Sequence, residues 1–128
     1  MHVITRNEIR SILLSWKRGE MSSAEVHDWG EQRYAVDGFE PEDEIVNEIL
    51  SNLDILDINL VTPEDIPDFL RMLDYPRGQE AEALAFLDKR GESFDLQDRM
   101  RHYADDPFYG RFCNPPPTER PKPWWRFW

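Results

Sequence analysis

The chain has one cysteine, Cys113, among 128 residues. No intramolecular disulfide can form and no cysteine-based zinc site can be built, which fits a reducing compartment. Histidine is scarce too: His2, His27 and His102 are too scattered for an H-E-x-x-H helix or a three-histidine metal site. The acidic segments lack the D-x-[DN]-x-[DN]-G order of a calcium loop. Catalysis requires a nucleophile with its base, an acid and base pair with separated pKa values, or a metal, and no motif supplies one. The expectation is a protein with no catalytic residues, no metal and no cofactor. Long apolar runs are also missing. Nowhere do about 18 apolar residues follow one another, and the first residues, with His2, Arg6, Glu8 and Arg10, lack the apolar core of a secretory signal. A cytoplasmic protein is expected.

The most telling shortage is of positive charge in one place. Between Glu40 and Asp68 there are ten carboxylates and no Lys or Arg. Residues 1–39 carry six acids and five bases, whereas 40–74 carry eleven and one, so the central segment holds nearly all of the net charge of −11. Repulsion of that density disfavours a compact state unless it aids solubility or meets a positive partner. It makes free nucleic acid an unsuitable ligand.

What is present is a set of helix signals. At 40% hydrophobic and 12% aromatic the chain is too apolar to be wholly disordered, and its length suits a single core. Thr5 and Glu8 have capping-box spacing, and Ile9, Ile12, Leu13 and Trp16 follow at helical intervals. Gly19 ends that helix, and Ser22 with Glu25 starts another, so the two should form an antiparallel pair. The second is expected over 23–37, with Gly30 leaving room for a large neighbour such as Trp16, and Arg33 snorkelling to pair with Asp37. Pro41 and the acids Glu42, Asp43 and Glu44 suit the first turn of a third helix, whose core stripe is Ile45, Val46, Ile49, Leu50 and Leu53. At about 100° per residue, Glu44, Asn47, Glu48 and Ser51 fall opposite that stripe.

Partial alternation over 54–61 allows a short extended segment. Thr62, Pro63, Glu64 and Asp65 then open a fourth helix with Ile66, Phe69, Leu70 and Leu73 inside and Glu64, Asp68 and Arg71 outside. Ala81, Leu84, Ala85 and Leu87 define a fifth helix that Gly91 should close, and Ser93 caps a short sixth one holding Leu96 and Met100. From Asn114 the chain turns to prolines and ends Trp124, Trp125, Arg126, Phe127, Trp128. Such a tail is extended, and no two of its prolines have P-x-x-P spacing. The expected fold is therefore all-α: a compact bundle of five or six short helices over 1–113, with an extended Pro/Trp-rich C-terminal tail over 114–128.

The acidic stretch has two main readings, a solvated face or a docking surface for a basic protein. Glu44 and Glu48, and Glu64 and Asp68, stand at i, i+4, where like charges cost a few tenths of a kcal/mol per pair. A surface that tolerates this without an intervening Lys favours docking. The tail tryptophans Trp124, Trp125 and Trp128 either fold back over the core or anchor a partner, since Trp and Arg dominate interface hot spots. Interfacial membrane binding by these aromatics is opposed by the acidic body. Candidate partner-binding residues are thus Glu44, Glu48, Glu64, Asp68, Tyr75, Trp124, Trp125 and Trp128. The alternative is an adaptor or regulatory subunit anchored by the tail.

The short capped helix with Trp16 and Gly19, then Ser22, Glu25 and Trp29 opening a second helix, then acid-rich third and fourth helices, resembles small helical immunity proteins of bacterial toxin systems. These include the colicin and contact-dependent inhibition types, and the resemblance spans residues 5–75. It implies a cytoplasmic inhibitor that binds one cognate toxin, commonly a basic nuclease, through an acidic surface.

Overall fold

Thr5 is where the chain changes from strand to helix. Its backbone is extended, and its hydroxyl accepts from the Glu8 N–H at 3.1 Å, so α1 (Arg6–Lys17) begins directly after β1 (His2–Ile4). The Glu8 carboxylate does not complete a capping box, because it is bonded to His2 Nε2 at 2.9 Å. The computed structural model describes residues 1–57, 59–92 and 95–110. Gly19 takes the left-handed conformation (φ +79°) after α1, and Ser22 and Glu25 form a full capping box for α2 (Ser23–Glu31).

The described residues are mostly helical, as expected, with a small sheet that the sequence did not announce. α2 stops six residues short of Asp37. Ala35 is left-handed (φ 57°), and the chain turns to bring β2 (Phe39–Pro41) beside β1 in parallel. Pro41 is thus a strand residue. The cap of α3 (Glu44–Asp54) is Asp43, whose carboxylate accepts from the Val46 N–H at 2.9 Å. All five residues of the α3 stripe, Ile45, Val46, Ile49, Leu50 and Leu53, are buried. α3 packs against α1, α2, β2, α4 and α5, so the core is organised on it.

Gly30 gives room to α3, not to Trp16. A Cβ there would lie 2.8 Å from Leu53 Cβ and 3.0 Å from the Leu53 carbonyl carbon. Trp16 is buried and donates its indole N–H to Ser23 Oγ at 3.1 Å. The connection after α3 forms turns, with no strand among its described residues. Leu60 is left-handed (φ 53°), and Leu56, Leu60 and Val61 are buried. A 3-10 turn (Pro63–Asp65) leads into α4 (Ile66–Leu73), which buries Ile66, Phe69, Met72 and Leu73, leaving Leu70 half-buried. α5 (Glu80–Glu92) passes through Gly91 instead of ending at it, and of its residues Ala83 is fully buried.

The chain divides into two compact units, the first Met1–Phe94 and the second beginning at Asp95. Within the second, Asp95 caps α6 (Leu96–His102) by accepting from the Asp98 N–H at 3.0 Å. Tyr109 is buried with its ring edge-on to Tyr103 and Phe108. Ser93, Cys113 and the tail from Asn114 lie outside the described residues.

Candidate functional site

The acid-rich centre draws its cations from elsewhere in the chain. Arg6, at the start of α1, is buried and donates Nε–H to Asp43 Oδ2 at 2.7 Å. The same guanidinium reaches two carbonyls at the end of α4 and just beyond it, Leu73 O at 3.3 Å and Tyr75 O at 2.6 Å, and lies 3.6 Å from Glu80 Oε2. Its backbone N–H donates to Glu42 Oε1 at 3.0 Å. Arg77 pairs with Glu42 and stands 3.8 Å from Asp43 Oδ2. Arg90 of α5 pairs with both Asp65 and Asp68, and Asp65 also accepts from the Thr62 N–H at 2.9 Å. Carboxylates held this closely contribute to the fold, because removing one partner leaves the other charge desolvated and unpaired.

These contacts sort the proposed partner-binding residues. Glu44 is exposed on the outward side of α3, next to exposed Asn47. Glu48 is half-buried and accepts from the Asn52 side chain at 3.2 Å. Neither has a cationic partner among the described residues, and the same holds for exposed Glu40 and for Asp54. Glu64 is exposed and accepts from Thr62 Oγ1 at 3.3 Å. Asp68 differs from Glu40, Glu44, Glu48 and Asp54 because Arg90 holds it. Tyr75 is half-buried, its ring 6.4 Å from that of Phe86. It lines a shallow, open depression of about 290 Å³ with Arg71, Asp74, Pro76 and Gln79. Arg71 stacks over Phe86 at 4.8 Å. Trp124, Trp125 and Trp128 lie outside the described residues.

Three features escape a reading by periodicity. Arg6 stands next to the cap and looks like a surface charge, yet the fold buries it. Arg33 does not pair with Asp37. Its guanidinium lies 4.5 Å from the centre of the Trp29 ring and 5.4 Å from that of Phe39, and it donates to Trp29 O at 3.0 Å. Phe39 is placed there by strand pairing, so no local signal marks the contact. His27 faces the Leu53 carbonyl through Nδ1 at 3.3 Å, while Nε2 points between Glu31 (3.8 Å) and buried Asp57 (4.0 Å). Among the described residues no His, Cys, Asp and Glu side chains gather in a group able to hold a metal, and no helix is long and apolar enough to cross a membrane. Comparison with protein-family models, with curated proteins and with solved structures gives no match.

Proposed function

We propose that the chain is a non-catalytic binding module that presents the outward carboxylates of β2 and α3 to a basic protein. The observation that carries this reading is that Glu40, Glu44 and Glu48 have no cationic partner among the described residues, while Glu42, Asp43, Asp65 and Asp68 are matched by arginines. A fold that neutralises one set and leaves the other outward has a surface suited to electrostatic steering. In its finer form the module is an immunity-type inhibitor that occludes the active face of a basic, toxin-like protein such as a nuclease, acting in the cytoplasm. That form draws support from the resemblance carried by Trp16, Gly19, Ser22, Glu25 and Trp29.

The test compares the wild-type chain with the triple variant Glu40→Gln, Glu44→Gln, Glu48→Gln as bait in extract from the source cells. A basic protein bound by the first and released by rising salt should be lost by the second. Retention of the same partner by the triple variant, with the same salt dependence, rules the acidic surface out. Rescue of cells from that partner's toxicity by the wild-type chain then decides the inhibitor form.

A further inference from the structure

Among the described residues the two-stranded sheet has one closed edge and one open one. In a parallel ladder, alternate residues of a strand direct both backbone groups at the same neighbour. The register is His2 with Phe39, Val3 with Glu40 and Ile4 with Pro41. The His2 N–H donates to Gly38 O at 2.7 Å and the Glu42 N–H to Ile4 O at 2.9 Å. His2 and Ile4 therefore face β2, and the N–H and C=O of Val3 face away from it.

On the far side of β2 the edge is blunted. The Phe39 N–H donates to Val36 O at 3.2 Å, and Pro41 has no N–H to offer. On the far side of β1 neither a turn hydrogen bond nor a proline blocks the edge among the described residues. Val3 is 46% exposed and Met1 84% exposed, and although Ile4 is buried on the inner face, no strand pairs with this edge of β1 among the described residues. Thr5 continues the extended backbone (φ −91°, ψ 164°), so its N–H lies on the same open edge as Val3 and the Met1 carbonyl.

An edge of this kind is a template for another strand. We propose that β1 receives an extended, Lys- or Arg-bearing segment of a partner protein as a third strand. Its backbone would bond to the Met1 carbonyl, the Val3 N–H and C=O, and the Thr5 N–H. The charge of the occupant follows from the surroundings. Glu40 is the cross-strand neighbour of Val3, is exposed and has no cationic partner among the described residues. Two strand spacings separate the added strand from β2, about 10 Å, which a Lys leaning over Val3 spans to reach Glu40. A second copy would set one net charge of −11 against another and bring a second Glu40 to the same sheet. A basic segment meets no such repulsion. This inference rests on the acidic-docking reading for the partner's charge, and on strand geometry alone for the place.

The test uses three synthetic peptides of about seven residues, enough to span such an edge. One alternates Lys and Val, one carries the same residues with N-methyl groups along one edge, and one has Glu for Lys. Binding is followed by NMR and by amide hydrogen exchange at Val3 and Thr5. The Lys peptide should slow both amides about tenfold or more, and its N-methylated form should bind about tenfold more weakly, a loss of about 1.4 kcal/mol. Val3→Pro removes an N–H that β2 does not use and should cause the same loss.

Equal binding of the two Lys peptides, or no protection of Val3 and Thr5 at ~1 mM peptide, overturns the edge site. If the triple Gln variant still weakens binding in that case, the acidic-docking reading survives. Tight binding of the Glu peptide overturns the basic occupant, and with it that reading. A dimer that Val3→Pro dissociates overturns the proposal in favour of a second copy. Should Val3→Pro fail to fold, the peptide comparison on the wild-type chain decides.

Discussion

Replacing Arg6 with Met keeps a long, unbranched stem but removes every donor that Asp43 Oδ2, Tyr75 O and Leu73 O receive from the guanidinium. Arg77 remains near Asp43, but its side chain is largely exposed and it does not reach those carbonyls. Loss of one partner of a desolvated pair costs about 3 kcal/mol or more, so Arg6→Met should lower the unfolding free energy by ~3 kcal/mol in a urea titration. Arg6→Lys should restore only part of this, because one ammonium cannot serve acceptors spread over a planar fork. A loss under about 0.5 kcal/mol for Arg6→Met, the range of ordinary surface substitutions, would mean that the arginine is incidental. The same principle separates the carboxylates. Glu44→Gln should leave stability within about 0.5 kcal/mol of wild type, since Glu44 touches no cation among the described residues.

At the scale of elements, two glycines inside helices answer oppositely to the same change. Alanine is worth about 1 kcal/mol over glycine in a helix interior. Gly91, in the last turn of α5, has open space where a Cβ would stand, so Gly91→Ala should raise stability by about half that amount. Gly30 in α2 has the Leu53 backbone within 3.0 Å of the same position. The clash is with main chain that cannot rotate away. Gly30→Ala should therefore cost ~1–3 kcal/mol, as overpacking does, despite its better propensity. Paired thermal melts check both, and a stabilised Gly30→Ala would show that α2 and α3 can separate at no cost. Strands behave similarly. Nothing in His2–Ile4 or Phe39–Pro41 alternates for long enough to be read as a strand, and the pairing exists because Ala35 and Gly38 turn the chain back beside its own start.

For the whole molecule, the net charge of −11 is a long-range repulsion, whereas the arginine pairs are short-range and partly desolvated. Salt screens the first much more than the second. Raising NaCl from ~0.05 to ~0.5 M should therefore raise Tm, and a fall would mean that the ion pairs outweigh the repulsion. The sequence by itself determined that the first unit is mostly helical and which face of α3 is inward, because apolar periodicity and caps such as Thr5 and Ser22 are local properties, but not where α2 ends or α3 and α4 begin. It also determined that the centre of the chain is acidic. Only the tertiary structure decided which of those acids are committed to the fold. Arg6, Arg77 and Arg90 lie 37, 34 and 22 residues from Asp43 and Asp68 partners, taken in turn as Arg6 with Asp43, Arg77 with Asp43 and Arg90 with Asp68. No periodicity registers a contact over such separations. Helices are written in neighbouring residues, whereas charge pairing, the approach of Gly30 to Leu53 and the open edge of β1 depend on which distant segments the core brings together.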